Sequence, residues 1–392
     1  MIETAVAPCP LEDDLAASWM LDPEVTYLNH GSFGARPRPV FEHQAQLRHD
    51  FETQPVQSIV AEMEELLPSI RARLAAFIGS TPDRVDLVAN ASEAVNSILR
   101  SIELSPGDEI VIPDHAYNAV HQTVRYVARR TGAVVKVVGI PLPIDDHDSM
   151  IQPILEALSG RTRLLLIDHI TSPTAIVFPI ESLVRIARER GIDVLVDGAH
   201  GPGMIPLHLD SLGATWYVGN LHKWVCAPVG AAFIATDPSR VSTLHPAIIS
   251  HGYEQGHTEE FSWQGTRDYT PWRCIPFVLD WIESRWGWSA LREHNHRLAV
   301  WGHDHLCAAW GVDPITPLDG SLIGSMATLE LPEGIRSKHH SDVELHDLLL
   351  REHSIEVPIM DWGGKLWLRI SAQAYNRPDD YRRLADVIAS MG

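Results

Sequence analysis

Two short polar segments follow apolar runs in the middle of the sequence. Asp197 opens the segment DGAH (197–200), and Lys223 stands in the segment NLHKW (220–224). Both segments lie at the carboxyl ends of predicted strands, where open α/β sheets bind ligands. Pyridoxal 5′-phosphate (PLP) requires a lysine amine that forms a Schiff base and an acid that keeps its pyridine nitrogen protonated. The sequence therefore predicts that Lys223 and Asp197 hold PLP for chemistry at the α-carbon of an amino acid.

A phosphate site for this cofactor is predicted between a strand and a helix. Asn90, Ala91 and Ser92 stand at that junction. The free backbone N–H groups and the dipole at a helix N-terminus favour an anion, and the Ser92 hydroxyl adds a donor. Taken alone, such a motif is more commonly an N-cap. Its combination with Lys223 and Asp197 is what indicates phosphate binding.

The elements that position these groups alternate in type. Short apolar runs and helix-patterned segments follow one another from about residue 85 to 235, which is typical of a mostly parallel sheet covered by helices. Ser92–Ser101, Ala119–Arg130 and Ile180–Arg190 are the predicted helices between the strands. The predicted strands are Val85–Ala89, Glu109–Ile112, Val134–Val138, Arg163–Ile167, Asp193–Val196, Thr215–Val218 and Ala231–Ala235.

The remainder of the chain predicts a second, smaller unit. A long helix-like stretch rich in Trp and Arg follows residue 269, and then come a strand at Ala327–Leu331, a helix at Asp342–His353 and a strand at Leu366–Ser371. At 392 residues the chain exceeds what one core usually serves. We expect an N-terminal arm (1–25), a large PLP-binding α/β domain (26–269) and a small α+β domain (270–392).

Charge and composition exclude several classes of protein. A net charge of −20 with no basic stripe argues against a nucleic-acid binder. No apolar run is long enough to span a bilayer, and the N-terminus lacks a secretory pattern, so we expect a cytoplasmic protein with no membrane partner. The four cysteines form no CxxC pair, which indicates reduced thiols.

The sequence resembles the class V, cysteine-desulfurase-like branch of fold-type I PLP enzymes, and within it the isopenicillin N epimerase-like group. Besides DGAH and HKW (222–224), the motifs that carry this resemblance are YLNHGSFG (27–34), QGTRD (264–268) and LRIS (368–371), followed by Tyr375-Asn376. Their order and spacing match as well as their content. The resemblance covers nearly the whole chain and implies the fold-type I architecture.

The resemblance assigns the cofactor residues one by one. It makes Lys223 the Schiff-base lysine and Asp197 the partner of the pyridine nitrogen, with His200 packed against the cofactor. Phosphate contacts are implied from both sides of the ring, by Ala91, Ser92, Asn220 and His222. Related enzymes often have serine at the position of Asn220, and an amide can donate the same bond.

Further residues are implied around the ring and the substrate. Tyr117 resembles the ring that stacks on the cofactor, with His115 as a rival, and Ser172 resembles the neighbour of the phenolic oxygen. Gly265 and Thr266 resemble a segment that reaches the cofactor phosphate of a neighbouring subunit, which implies a homodimer. Arg369 resembles the arginine that grips the substrate α-carboxylate, a task that suits its planar fork. Asn29 is a further substrate candidate, and His251, Tyr253 and Trp362 are candidates for shaping the substrate pocket.

Departures from the family pattern argue against a cysteine desulfurase. Cysteine desulfurases need a mobile cysteine shortly before the carboxylate arginine, and Ile355–Leu368 contains none. A packing role is predicted for Cys226. Histidine pairs such as His294/His296 and His303/His305 lack the Cys or acidic residues that would complete a metal site, so no metal is expected.

Several reactions share the same first step, in which the freed lysine amine removes the α-proton. Reprotonation from the opposite face gives an epimerase or racemase, and requires an acid there, for which Tyr117, His115 or a water are candidates. Loss of a sulfur group from the β-carbon gives a C–S lyase, such as one acting on a modified cysteine like hercynylcysteine sulfoxide. Proton transfer to the cofactor gives an aminotransferase. We rank the epimerase first and the lyase second, and a non-enzymatic scaffold last.

Overall fold

The computed structural model describes residues 7–11, 16–339 and 341–392, so the expected N-terminal arm falls partly outside the described residues. The strands are β1 (Thr26–Tyr27), β2 (Val85–Val88), β3 (Glu109–Pro113), β4 (Val134–Val138), β5 (Thr162–Asp168), β6 (Asp193–Asp197), β7 (Trp216–Asn220), β8 (Ala232–Thr236), β9 (Met326–Glu330), β10 (Ile355–Glu356), β11 (Ile359–Trp362) and β12 (Lys365–Ser371). The helices are α1 (His30–Phe33), α2 (Arg38–Thr53), α3 (Glu62–Ile78), α4 (Ala91–Ser101), α5 (Asn118–Thr131), α6 (Asp148–Ala157), α7 (Ile180–Glu189), α8 (Leu209–Leu212), α9 (His257–Ser262), α10 (Thr270–Arg285), α11 (Trp288–Trp310), α12 (Glu333–Lys338), α13 (Asp342–His353) and α14 (Pro378–Met391).

The largest sheet has the strand order β2-β8-β7-β6-β5-β3-β4. Its strands are parallel except β8, which is antiparallel to both of its neighbours, β2 and β7. The central strands are apolar on both faces, and the run 164–167 of β5 is fully buried. Such runs are typical of parallel strands with helices on both sides. The predicted α/β architecture with a mostly parallel sheet is confirmed.

Helices cover both faces because successive strand residues point to opposite sides. Leu164 and Leu166 pack with α4 and α5 in one apolar cluster. Leu165 and Ile167 belong to another cluster, which includes residues of α3, α6, α7 and α10. The side chains of the strands are thereby covered, and ligands have access chiefly at the ends of the sheet.

A smaller antiparallel sheet, with the order β11-β12-β9, forms a second layer near the C-terminus. Apolar residues from the second half of α11 and from α13 and α14 pack with it. α10 instead packs with the core of the large sheet through residues such as Trp272 and Ile275. The domain boundary at residue 270 stays a prediction.

The long helical stretch predicted after residue 269 is in fact two helices. α10 ends at Arg285 and α11 begins at Trp288, and between them Gly287 adopts a φ of 77°, a left-handed conformation that breaks a helix. Across the described ranges, no helix has the length and apolar character needed to cross a bilayer.

The N-terminal strand β1 joins the C-terminal part of the chain. It pairs in parallel with β10, with Thr26 opposite Ile355. Leu28 donates its N–H to Glu356 O at 2.8 Å and accepts from Ser371 N at 2.9 Å. These bonds place the segment 29–34 between the two sheets, beside the carboxyl ends of the large sheet's strands.

Candidate active site

A cavity of about 260 Å³ opens at the carboxyl ends of the parallel strands. Asp168, Asp197 and Asn220 are the last residues of β5, β6 and β7, and all three line it. Nine of the predicted site residues meet around this cavity: Ala91, Ser92, Tyr117, Ser172, Asp197, His200, Asn220, His222 and Lys223. The roles assigned to the individual residues stay predictions.

Lys223 is hydrogen-bonded to His200, and a second hydrogen bond from Trp224 orients the His200 ring. The Lys223 Nζ lies 3.1 Å from His200 Nε2, and the Trp224 indole N–H donates to His200 Nδ1 at 3.3 Å. Burial lowers the pKa of His200 well below its ordinary value, so the ring is neutral. A neutral imidazole whose Nδ1 accepts carries its proton on Nε2, which then donates to the lysine. This arrangement requires Lys223 to be a neutral amine.

The electrostatics of the cavity favour the same state of Lys223. Loss of water around the amine and the positive charge of Arg369 lower its pKa to about 7, and this outweighs the opposing effect of Asp197 and Asp168. An amine with that pKa is a nucleophile and a base near neutral pH.

Asp197 and Asp168 form a buried pair of carboxyl groups. They are register partners on adjacent parallel strands, so their side chains project to the same side of the sheet. Asp197 Oδ1 accepts from Ala199 N at 3.0 Å, whereas Asp168 Oδ1 has no hydrogen-bond partner among the described residues. Burial raises the pKa of Asp197, and burial together with the charge of Asp197 raises the pKa of Asp168 well above its ordinary value.

Asp168 is a site residue that the sequence reasoning missed. Its signal was present, because it ends an apolar strand just as Asp197 does. The pairing of β5 with β6 is what brings the two acids together.

The N-terminus of α4 forms the end of the cavity predicted to hold phosphate. Asn90 caps the helix by accepting from Glu93 N at 2.8 Å, and Ala91 N donates to Asn220 Oδ1 at 2.9 Å. His222 Nδ1 is buried without a hydrogen-bond partner in the described part of the chain. A helix N-terminus together with an unsatisfied imidazole nitrogen fits a phosphate group.

Tyr117 and Lys223 both line the cavity and follow strands on opposite sides of the two acids. Lys223 follows β7 and Tyr117 follows β3, while Asp197 and Asp168 end the two strands between them. Three strand spacings separate β7 from β3, which is about 14 Å. Tyr117 is 50% exposed at the cavity.

His115, the rival of Tyr117, lies below the cavity wall and does not line it. Its ring nitrogens bond to Thr174 Oγ1 at 2.9 Å and Ile140 O at 3.1 Å, and its ring meets Trp362 edge-on at 4.8 Å. Of the two, Tyr117 lines the described cavity and His115 does not, and the stacking role of Tyr117 stays a prediction. His251, Tyr253 and Trp362 are likewise absent from the described lining.

Arg369 lies directly behind the wall of the cavity. It is 3% exposed, and Ser172 and Ser32, its hydrogen-bond partners, both line the cavity. Arg369 Nη1 donates to Ser172 O and, at 3.2 Å, to Ser172 Oγ, and Nη2 donates to Ser32 Oγ at 3.3 Å. Its Nε has no partner among the residues that the structure describes. The side-chain amide of Asn29, the other substrate candidate, donates to Glu356 and accepts from Ser32.

Gly265 and Thr266 do not line this cavity. Thr266 lines a separate and larger one of about 540 Å³, together with Arg48 and Arg267. Despite its size, that cavity includes none of the acids, the lysine or the helix N-terminus described above. We therefore take the smaller cavity as the candidate active site.

None of the cysteines lines the smaller cavity. Cys226 is buried behind Lys223, with its Sγ 3.7 Å from His30 Nε2, and His30 in turn lies 3.1 Å from Lys223 O. Burial raises the pKa of the Cys226 thiol, so it is an unreactive packing group. Gly34 completes this packing, because a Cβ there would meet the backbone of His222 and Lys223.

Comparisons with known proteins agree with this fold. Residues 27–358 match the family model described as aminotransferase class-V. The chain is 32% identical over 389 residues to isopenicillin N epimerase of Amycolatopsis lactamdurans, covering 95% of this chain and 96% of that one. It is also 32% identical over 395 residues to a probable chloroplastic L-cysteine desulfhydrase of Arabidopsis thaliana, covering 94% and 83%.

Among solved structures, the apo cysteine desulfurase from Thermococcus onnurineus superposes with a TM-score of 0.82 at 18% identity, covering 98% of this chain and 99% of that one. The architecture is therefore that of fold-type I PLP enzymes, as predicted. The chain belongs to the class V aminotransferase family of PLP-dependent enzymes.

Proposed function

We propose that this protein is a PLP-dependent amino-acid epimerase or racemase. The observation that carries the proposal is that Lys223 and Tyr117 line the same cavity from loops that follow β7 and β3, the strands on either side of the two acids. Epimerisation needs a base on one face of the α-carbon and an acid on the other.

Each group in the cavity has a proposed task. Lys223 would hold PLP, Asp197 its pyridine nitrogen, and the N-terminus of α4 with His222 its phosphate. Bound there, PLP supplies the electron sink that makes the α-proton of an amino acid acidic.

Other side chains would handle the substrate. Arg369, behind Ser32 and Ser172, would receive the α-carboxylate. Lys223, kept neutral by His200, would take the α-proton, and Tyr117 would return a proton from the other side. Because the lysine pKa lies at about 7, the amine can both accept and release a proton near neutral pH.

We also propose that the active form is a homodimer. Gly265 and Thr266 lie outside the candidate site of their own chain, as expected of residues that serve the site of a partner. The phosphate end of the cavity would then be completed across the interface. Sedimentation of the PLP-loaded protein at several concentrations tests this, since a monomer at the concentrations used for activity contradicts it.

A C–S lyase is the second candidate, favoured by the similarity to an L-cysteine desulfhydrase at the same identity as the epimerase. A lyase needs Lys223 as a base but no thiol and no acid on the opposite face. The lack of a lining cysteine in the described cavity is compatible with both reactions and disfavours a desulfurase.

One experiment separates these reactions. The PLP-loaded protein is incubated with a panel of L- and D-amino acids, including cysteine and S-substituted cysteines, in heavy water. Deuterium at Cα with inverted chirality supports the epimerase. Pyruvate or release of a sulfur group supports the lyase, and a keto acid without inversion supports an aminotransferase.

Two variants link the result to the structure. Tyr117→Phe retains the ring but loses the hydroxyl, so an epimerase that uses Tyr117 loses inversion while Lys223 still exchanges the α-proton. A lyase retains its activity in the same variant. Lys223→Ala is expected to abolish the visible absorption of bound PLP, and an unchanged spectrum would overturn the assignment as a PLP enzyme.

A further inference from the structure

A chain of hydrogen bonds runs from the protein surface to Arg369. His346 Nε2 lies 3.1 Å from Glu356 Oε1, and Asn29 Nδ2 donates to the same oxygen at 2.7 Å. Ser32 Oγ donates to Asn29 Oδ1 at 2.5 Å, and Arg369 Nη2 donates to Ser32 Oγ at 3.3 Å. The chain thus connects α13, β10, the segment after β1, α1 and β12.

The direction of every bond in this chain follows from the carboxylate of Glu356. A carboxylate only accepts, so it fixes the NH₂ end of the Asn29 amide towards itself. The amide oxygen then faces Ser32 and takes the single hydroxyl proton. The remaining lone pairs of Ser32 Oγ are left to accept from Arg369.

The backbone explains why these residues meet. Leu28, the residue after β1, lies between β10 and β12, since it donates its N–H to Glu356 O on one side and accepts from Ser371 N on the other. Gly31 N also donates to Ser371 Oγ at 3.1 Å. A Cβ at Gly31 would clash with Met326 Sδ and lie 3.4 Å from Arg369 Nη2, so glycine lets α1 pack closely against Met326 beside the arginine.

We infer that Asn29 and Glu356 are positioning residues for Arg369, acting through the Ser32 hydroxyl to hold the guanidinium in the orientation that receives the substrate α-carboxylate. This rests on the proposed function, in which Arg369 binds that carboxylate. Ser172 holds Nη1 and Ser32 holds Nη2, which leaves Nε without a partner in the described structure. A guanidinium held at Nη1 and Nη2 still has the Nε N–H and a second Nη2 N–H to donate to a carboxylate. Because it is already ordered, it loses little further entropy when the carboxylate binds.

The test compares ligands with and without the carboxylate. Dissociation constants are measured from the visible spectrum of the PLP-loaded protein for alanine and ethylamine and for cysteine and cysteamine. Ser32→Ala is expected to raise the dissociation constants of alanine and cysteine about tenfold, as for a lost hydrogen bond to a charged group. The dissociation constants of ethylamine and cysteamine are expected to rise less than about twofold. Glu356→Ala and Asn29→Ala are expected to give the same selective loss at about threefold to fivefold.

Two control variants separate positioning from general damage. Ser371→Ala removes the acceptor of Gly31 N and loosens α1, but it leaves both serine partners of Arg369 in place, so the selectivity for the carboxylate stays unchanged. Glu356→Gln retains an acceptor oxygen for Asn29 and is expected to restore the affinities to within about twofold of the unmodified protein. If Ser32→Ala fails to fold, the comparison of Glu356→Ala with Glu356→Gln decides, because Glu356 does not line the cavity.

Three results would overturn the inference: equal weakening of amino acids and amines, the same selective loss in Ser371→Ala, or a loss in Glu356→Gln as large as in Glu356→Ala. The proposed function fails separately. If the unmodified protein binds no PLP at Lys223, or if bound PLP responds to no amino acid, the assignment of Arg369 falls and this inference falls with it.

Discussion

The pKa of Lys223 makes a quantitative prediction about how the protein binds its cofactor. Only the deprotonated amine attacks the aldehyde of PLP, and the pKa of Lys223 is lowered from 10.5 to about 7. At pH 7 about half of the Lys223 amines are then neutral, against roughly one in three thousand for an ordinary lysine. The attachment rate at pH 7 is therefore on the order of a thousandfold higher than an unperturbed pKa allows.

The assay follows the visible absorption after protein stripped of cofactor is mixed with PLP at pH 5.5 to 10, at PLP concentrations where attachment limits the rate. The rate is expected to rise with pH and to level off above a midpoint near 7. Reduction with borohydride and mass analysis verifies that the label is on Lys223.

Removing a positive charge near Lys223 is expected to shift the midpoint of the pH dependence of PLP attachment. Arg369 lowers the pKa of Lys223, so Arg369→Gln is expected to move the midpoint upwards. Arg382→Gln serves as the matched control, because Arg382 is an exposed arginine that pairs with Asp379 on α14. A midpoint near 10 in the unmodified protein, or a downward shift in Arg369→Gln, would refute the reasoning.

Three further outcomes are expected. Asp168→Asn removes the acid whose ionised form raises the pKa of Lys223, and burial favours the neutral form of this acid, so in the same attachment assay the midpoint is expected to stay in place or move downwards, and an upward shift contradicts the geometry of the acid pair. Gly34→Ala forces a Cβ against the backbone of Lys223 at a φ of 72°, and is expected to lower the free energy of unfolding by about 2 kcal/mol or more and to weaken PLP binding, both measurable by thermal melts with and without cofactor. Cys226→Ala is expected to retain activity to within about twofold at a stability cost of about 1 kcal/mol, whereas loss of turnover in a folded variant would identify a reactive thiol.

The strands of the large sheet were predictable because their signals are local. A buried parallel strand is a short apolar run. Asp197 ends such a run, and Lys223 lies three residues after the end of another. Where a local signal was weak the prediction failed: the break at Gly287 was missed because the residues on both sides favour helix.

Contacts between distant segments were beyond sequence reasoning. Asp168 became a candidate site residue only through the pairing of β5 with β6, and Ser32 only through the placement of Leu28 between β10 and β12. Which of Tyr117 and His115 lines the cavity could not be predicted either, because two residues of the same loop point in different directions.

The sequence by itself determined the α/β architecture and the family, and it predicted the roles of Lys223 and Asp197, because these depend on periodicity and on residue type at strand ends. Only the tertiary structure decided the protonation state of those groups. The neutral amine of Lys223 depends on His200, Trp224 and Arg369, which come from three different elements or loops of the chain. A pKa depends on distance and on exclusion of water, and both are set by packing rather than by order along the chain.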